Sequence, residues 1–344
     1  MSDSPPAAVR RDCALDGMRL VAMLFVIMIH VAAKGFGQLQ LHWWAVNAWE
    51  SLARIAVPLF FMISGALLLP RQHSVASMGR RLWRIGLPLI GWSCVYLAWF
   101  VHTGEHHGNW LSAIVTAPVA PHLWYLYALI GLYVFLPVCA GFYQANPPRV
   151  QWFCLIFWII GASLVPLEIA LTERVSVGVS WAFLPLYAGY MAAGALLYWH
   201  PPALARRIAP VWLAWALLTL ATAVATWWRC HTLARADEAF YVYSSPTVLL
   251  AAMAGFVCLR WLFTRIVVPG GRLEAGIAFF SNVSFGVYLL HVLVLFYLDR
   301  KGYDYRFVNP WLGIPGLTLA IMLICAPIVR AMQKIPGVRL LVPA

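Results

Sequence analysis

Residues 15–34 read LDGMRLVAMLFVIMIHVAAK, an apolar stretch that carries ionisable side chains where lipid does not normally accept them. Arg19 and His30 are eleven residues apart, which is close to three turns of an α-helix, so both lie on one face about 17 Å apart along the axis. Asp16 and Lys34 lie near the same face. Because a charge at the bilayer centre costs about 2.5–3.5 kcal/mol, this stripe is expected to face protein or a water-filled cavity, and it is a candidate functional site.

The remainder of the chain predicts a protein that crosses a membrane many times. Of its 344 residues, 63% are hydrophobic and only 10% are charged, which excludes the class of soluble globular domains. Apolar runs of about 17–21 residues, long enough to span a bilayer, recur along the chain. The ten runs are Gly17–Lys34, Leu52–Leu69, Leu82–Val101, Leu123–Phe142, Gln151–Leu167, Trp181–Trp199, Pro210–Trp228, Ser244–Phe263, Ile277–Leu298 and Trp311–Ala331. We expect an all-α helical bundle of about ten transmembrane helices over residues 15–332, with short cytoplasmic tails at residues 1–14 and 333–344.

The basic residues predict that both ends of the chain lie in the cytoplasm. In that orientation, 16 of the 24 Lys and Arg residues fall in cytoplasmic loops and helix ends, which is the side that positive residues favour. The formal net charge of +12 then reflects this bias, together with attraction to anionic membrane lipids and phosphate-bearing ligands. No nucleic-acid partner is needed to explain it.

The segment after the first span is expected to cross the outer surface. It comprises residues 35–51 and contains Trp43, Trp44 and Trp49. Tryptophan suits the membrane interface, so these side chains are interpreted as interfacial anchors, with a stacking surface for sugar rings as the alternative.

The second span predicts an irregular helix. Pro58 indicates a kink, and Ser64 and Gly65 are small residues that let a neighbouring helix approach closely. Arg54, at the outer end of this span, is interpreted as an interfacial charge whose head group reaches into water.

Three arginines precede the third span. Arg80, Arg81 and Arg84 lie in the first turns of the expected helix, and guanidinium groups bind phosphate through paired hydrogen bonds. They are candidates for holding a phosphorylated co-substrate at the cytoplasmic mouth. The alternative is that they act only as positive-inside topology signals.

The ninth span repeats the pattern of the first. Ser281, Ser284, Tyr288 and His291 follow the spacing i, i+3, i+7 and i+10, which places four polar groups on one helical face. This predicts a wall that faces a cavity.

Other polar residues carry weaker signals. Trp124, at the start of the fourth span, is either an interfacial anchor or part of a cavity wall. The histidines at positions 102, 106 and 107 and the seven cysteines show no spacing typical of metal ligands, so no metal site is predicted.

Five motifs together resemble one family. In chain order they are Arg19-x10-His30 within LDGMRLVAMLFVIMIH, VPLFFMISGALLL (57–69), RRLWRIGLP (80–88), HLWYL (122–126) and SFGVYLLH (284–291). In this order and spacing, the chain resembles the membrane-bound acyltransferase family 3, and within it the compact bacterial O-acetyltransferases that modify surface glycans.

The resemblance implies transfer of an acyl group, commonly acetyl, from acyl-CoA to a hydroxyl of a carbohydrate or lipid-linked sugar at the bacterial inner membrane. Acetyl-CoA, or another short acyl-CoA, would be a co-substrate, and no permanently bound cofactor is expected. The residues that match His30 and Arg19 are expected to be essential.

These expectations combine into a mechanism. Arg80, Arg81 and Arg84 would bind the phosphates of acyl-CoA, while Arg19, held by Asp16, would orient the acyl-bearing arm. His30 would be the general base for the acceptor hydroxyl, or would itself carry the acyl group. Tyr288 and His291 would complete the wall and donate to the developing oxyanion, with Ser64 and Trp124 in supporting positions.

A transporter or flippase for a lipid-linked sugar is the alternative, because intramembrane charges and proline-kinked spans also suit alternating access. The ten spans show no obvious pair of broken-helix repeats, which favours the acyltransferase.

Overall fold

The computed structural model describes residues 12–37, 39, 42–105, 108–172 and 186–344, and these residues form helices and connecting segments without a strand. The helices are α1 Cys13–Phe36, α2 Trp43–Ala53, α3 Ala56–Leu68, α4 Val75–His102, α5 Trp110–Thr116, α6 Trp124–Ala145, α7 Pro148–Ile159, α8 Val165–Thr172, α9 Leu186–Trp199, α10 Ile208–Leu233, α11 Pro246–Ile266, α12 Arg272–Arg300 and α13 Pro310–Met332. The predicted all-α membrane bundle is confirmed.

Within the described ranges, nine helical units are long and apolar enough to span a membrane. α2 and α3 together make one unit, and α7 and α8 make another through a π-helical turn at Ile160–Leu164. The predicted span Trp181–Trp199 begins outside the described residues, and its remainder forms α9. The histidines at positions 106 and 107 also lie outside them. The cytoplasmic location of both chain ends stays a prediction.

α1 occupies the centre of the bundle. It packs against α2, α3, α11, α12 and α13, and its Met18, Met23 and Ile27 side chains are completely buried. A helix that is surrounded on all sides must be apolar nearly all round, which is the composition of this stretch. The polar stripe of α1 therefore lies inside the bundle, where neighbouring helices and internal spaces surround it, as predicted.

The expectation that residues 35–51 cross the outer surface is wrong for residues 43–51, which belong to α2 and pack against α1, α10 and α13. Trp43 is buried, and its indole N–H donates to the Phe36 carbonyl oxygen at 3.0 Å. Asn47 donates to the Ala223 carbonyl oxygen at 2.9 Å. These internal partners let polar side chains enter the bundle, whereas hydropathy alone assigns them to water.

The predicted kink and close helix contact are both present in the second span. The helix breaks at Arg54-Ile55, one turn before Pro58, because proline has no N–H to donate to the carbonyl of residue 54. Beyond the break, α3 and α9 touch backbone to backbone. A Cβ added at Gly65 would lie 1.9 Å from the Met191 carbonyl oxygen, and one at Gly194 would lie 2.0 Å from the Met62 carbonyl oxygen.

This contact predicts the effect of one added methyl group. Gly65→Ala should destabilise the protein by about 1–3 kcal/mol or more, since the neighbouring atom is backbone and cannot rotate away. Gly131→Ala on α6 is the matched control, because nothing lies within 4 Å of its added Cβ. Thermal unfolding of the purified protein in detergent should show a lower Tm for Gly65→Ala only. Equal melting of both variants would contradict the close contact.

Candidate functional site

A basic cleft opens at the N-terminal end of α1. It has a volume of about 1540 Å³, and residues of α1, α4, α6 and α12 contribute to its lining. Its arginines are Arg19, Arg71, Arg80, Arg81 and Arg84. The structure thus brings the three predicted phosphate-binding arginines together with Arg19, although they lie far apart in the chain. Asp12 and Asp16 are the carboxylates of this lining, so the cleft carries an excess of positive charge and suits a polyanion.

A helix cap sets the direction in which the three arginines project. α4 begins with a capping box, in which the Ser74 hydroxyl accepts from the Ser77 N–H at 3.2 Å and the Ser77 hydroxyl accepts from the Ser74 N–H at 3.1 Å. From this start, Arg80 and Arg84 are one turn apart on the same face. Both are exposed and line the cleft, and one N–H of the Arg84 guanidinium already donates to the Ala344 backbone oxygen, which leaves its other N–H groups for a ligand.

Arg19 is held at the inner end of the cleft by a small polar network. Its Nη1 lies 2.8 Å from Oδ1 of Asp16, so the predicted ion pair is present. The Ser281 hydroxyl on α12 donates to the same oxygen at 2.6 Å. Asp16 is buried while Arg19 remains about one-third exposed, so the network leaves the guanidinium open to the cleft.

A second space, the histidine cavity, lies further along α1. Its volume is about 480 Å³, and His30, His122, Tyr125 and Tyr288 are among its lining residues. The ring centroids of His30 and His122 are 6.0 Å apart, and His291 lies 5.2 Å from His30 and 5.1 Å from His122. Three imidazoles from α1, α12 and the entry to α6 therefore meet in the interior.

His291 has a defined tautomer. Its Nδ1 lies 2.7 Å from the Tyr288 carbonyl oxygen and 3.2 Å from that of Val287, so Nδ1 carries the hydrogen. Its Nε2 is therefore an acceptor, and that atom is buried without a hydrogen-bond partner among the described residues. His291 is not among the residues that line the cavity, and its ring lies 5.2 Å from that of His30.

The other residues of the predicted stripe on α12 divide between the two spaces. Ser281 and Ser284 line the basic cleft, and Tyr288 lines the histidine cavity. The Tyr288 hydroxyl donates to the backbone carbonyl of His122, which anchors the short turn that carries this histidine. Three of the four residues of the predicted stripe therefore line a cleft or cavity, and the fourth, His291, lies beside His30 outside the lining.

The supporting residues have different positions. Trp124 lines the histidine cavity, and its ring lies 5.7 Å from Tyr243 and 5.6 Å from Tyr187. Ser64 lies half-buried on α3 and is not part of the described lining of either space. Lys34, at the far end of the α1 stripe, pairs with Asp299 of α12 and ties these two helices together.

Several residues that line the histidine cavity are not among the sequence candidates, and three of them carry a buried guanidinium, carboxylate or imidazole. Arg54 was interpreted as an interfacial charge, which is wrong: it is 9% exposed, pairs with Glu50, and lies 4.3 Å above the centre of the Tyr241 ring. Glu50 is buried as well. The signal available for both was their i, i+4 spacing, which places opposite charges on one helical face.

His122 is the third residue. Its side chain is buried, and neither ring nitrogen makes a hydrogen bond to a described residue. The Leu289 carbonyl oxygen lies near the ring, and it accepts a hydrogen bond from the Tyr96 hydroxyl at 2.8 Å. His122 is the first residue of the HLWYL motif, just before a predicted span. That position in the sequence does not show that its side chain lies beside His30 and His291.

The basic cleft and the histidine cavity lie in series along shared helices, because α1, α3, α6, α9 and α12 contribute lining residues to both. On α1 they contain Arg19 and His30, and on α12 they contain Phe285 and Tyr288, which are one helical turn apart. An aromatic layer separates them, with the Tyr288 ring 5.7 Å from Tyr125 and 6.2 Å from Phe285. A ligand bound in the cleft is therefore separated from the three histidines by this aromatic layer, along the direction of the helix axes.

The fold and these two spaces define a multi-pass membrane protein with an internal site that combines arginines and histidines. The chain matches the family model of the acyltransferase 3 family, described as an acyltransferase domain, over residues 13–330. It belongs to that family and is a membrane acyltransferase. No curated protein and no solved structure shows significant similarity to it.

Proposed function

We propose that this protein is an O-acyltransferase of the bacterial inner membrane. It moves an acyl group, acetyl in the simplest case, from acyl-CoA to a hydroxyl of a carbohydrate or lipid-linked sugar. One observation supports the proposal: the arginine-rich cleft and the histidine cavity adjoin along one set of helices, so a donor held in the cleft needs only to pass its narrow acyl arm between the Tyr125, Tyr288 and Phe285 rings to reach a hydroxyl in the cavity.

The donor enters the basic cleft. Arg80, Arg81 and Arg84 bind the phosphates of the nucleotide, which is too polar to pass through the bundle. Arg19 guides the acyl-bearing arm, and Asp16 holds Arg19 in place. From Arg19 to His30 the arm has to cover about 17 Å along the helix, a path suited to an extended, narrow chain.

His30 acts on the acceptor. Its imidazole takes the proton of the hydroxyl while that oxygen attacks the thioester carbonyl. The tetrahedral intermediate collapses with cleavage of the carbon–sulfur bond, and the CoA thiolate takes the proton back from His30. In the alternative order of steps, His30 first accepts the acyl group and then transfers it to the hydroxyl.

The surrounding residues position these groups. The hydrogen of the Tyr288 hydroxyl is engaged by the His122 carbonyl, so Tyr288 supports the wall. His122, which has both ring nitrogens free of hydrogen bonds to described residues, is the better-placed donor to a developing oxyanion. The His291 ring packs beside the His30 ring and helps to position it.

The proposal predicts acceptor-dependent release of CoA. The protein is reconstituted in liposomes with acetyl-CoA on the accessible face, and free thiol is measured with and without a bacterial envelope glycan extract. We expect the extract to stimulate CoA release and to gain acetyl groups, detected by mass analysis. Movement of a lipid-linked sugar across the bilayer without CoA release would instead establish a transporter.

A further inference from the structure

The most unusual group outside the donor path is the ion pair between Glu50 and Arg54. It lies where α2 ends and the helix breaks, and both residues are buried, with Glu50 1% and Arg54 9% exposed. Removing two charges from water is costly, and a buried pair repays that cost only when its remaining hydrogen-bonding atoms are satisfied. The helix break itself requires only Pro58, so it does not explain the charges.

Each partner of this pair keeps one unsatisfied atom. Oε2 of Glu50 and Nε of Arg54 are buried and have no hydrogen-bond partner among the described residues. The first accepts a hydrogen bond and the second donates one. Both residues line the histidine cavity, and the Arg54 guanidinium is close enough to His30 to interact with it electrostatically.

The wall around this pair is aromatic. Trp124 and Tyr243 are stacked with centroids 5.7 Å apart, and the Arg54 guanidinium lies over the Tyr241 ring. Burial raises the pKa of Tyr243, so its phenol stays protonated and uncharged. A few polar groups set in an aromatic wall are typical of a site that orients a small polar ligand.

The charge of the site restricts that ligand further. Glu50 and Glu238 both line the cavity, with Glu238 exposed, and Arg54 is the cation that lines it with them. Arg54 neutralises Glu50 within their pair, so Glu238 leaves the lining with a net negative charge, which disfavours a carboxylate or phosphate on the ligand and does not affect an uncharged hydroxyl.

We propose that Glu50 and Arg54 form the acceptor subsite and recognise two neighbouring hydroxyl groups of an uncharged polyol, such as a neutral hexose unit. A small rotation of each side chain brings Oε2 of Glu50 and Nε of Arg54 to the cavity surface, where one hydroxyl donates to the first and the oxygen of its neighbour accepts from the second. A third hydroxyl of the same unit then faces His30. This subsite rests on the acyltransferase function proposed above and narrows its acceptor class.

The test uses the full protein in liposomes with acetyl-CoA and a panel of methyl hexopyranosides, their monodeoxy analogues and the corresponding uronic acids. We expect neutral hexosides to be acetylated, and removal of either recognised hydroxyl to lower kcat/KM by about 10- to 100-fold. Uronic acids should be poor acceptors.

Two conservative variants test whether Glu50 and Arg54 themselves recognise the hydroxyl groups through hydrogen bonds. Glu50→Gln keeps the shape but turns an acceptor atom into a donor, and Arg54→Lys keeps the charge but removes the fork of N–H groups. Both should raise the acceptor KM by about tenfold or more and reduce the discrimination against one deoxy analogue. The KM for acetyl-CoA should not change. A merely structural role would lower the rates with all acceptors in proportion and leave discrimination intact.

Asp299→Asn is the matched control, because it removes a carboxylate from another ion pair, with Lys34, that lies outside the cavity lining. Its acceptor preference should equal that of the unaltered protein. If the envelope extract stimulates CoA release but no neutral hexoside is acetylated, the subsite proposal is overturned while the acyltransferase stands. If neither the extract nor the panel stimulates release, the acyltransferase proposal itself fails.

Discussion

His30→Gln is expected to lower the rate of acyl transfer by about 10²- to 10⁴-fold, which is the range that a positioned general base contributes. Glutamine approximates histidine in size, but its amide does not take up a proton near neutral pH. The acyl-CoA concentration needed for half-maximal rate should remain unchanged, since the basic cleft is untouched. Initial rates of CoA release and acyl incorporation measure both quantities.

His102→Gln provides the control, because that histidine is exposed at the end of α4 and outside the described lining of the cavity. It should transfer acyl groups at the normal rate. A normal rate for His30→Gln would remove His30 from the chemistry. Mixing the unaltered protein with acyl-CoA alone then distinguishes the two possible roles: an acyl-histidine pathway releases CoA and adds an acyl mass to the protein, whereas a general base does neither.

The sequence predicted α1 well because its information is local. The spacing of Asp16, Arg19 and His30 fixes which side chains share a face, and the helix period does not depend on what packs there. The same reasoning found the stripe on α12 with Tyr288 and His291. The predicted residues of both helices line the basic cleft or the histidine cavity, except His291, whose ring lies 5.2 Å from that of His30.

The sequence did not predict α2 because hydropathy treats each polar residue as if it faced water. Glu50 and Asn47 lower the apolar score of this segment, yet their partners lie within the bundle. Asn47 finds its acceptor on α10, 176 residues away. Such a partner is determined by the tertiary structure, so a hydropathy average over neighbouring residues cannot identify it.

The contacts of His122 in the histidine cavity could not be predicted from the sequence for the same reason. Its position is set by the Tyr288 hydroxyl, which reaches its backbone from a helix 166 residues later. A single histidine ahead of a hydrophobic span is ordinary, and it becomes notable only when two other imidazoles lie within about 6 Å. Clusters assembled from distant helices therefore require the structure.

Changing Arg80, Arg81 and Arg84 together to Gln is expected to raise the KM for acyl-CoA by at least about tenfold and to leave the rate at saturation largely intact. Each guanidinium makes charge-assisted contacts worth about 1.5–3 kcal/mol when well formed, and the exposure of Arg80 and Arg84 reduces this contribution. These residues bind a part of the donor that does not react, so they contribute mainly to binding. Increasing salt should raise the KM of the unaltered protein and affect the variant less.

The decisive comparison is with a triple variant that removes the same charge elsewhere. Arg206, Arg207 and Arg272 are exposed, lie on the same predicted membrane side and are absent from the described lining of the basic cleft. If the cleft arginines bind phosphate, only their replacement shifts the KM, because phosphate recognition depends on converging guanidinium groups and not on net charge alone. If both triple variants shift the KM equally, the effect is general electrostatic attraction. If neither does, Arg80, Arg81 and Arg84 serve only to orient the protein in the membrane, and the donor must bind elsewhere.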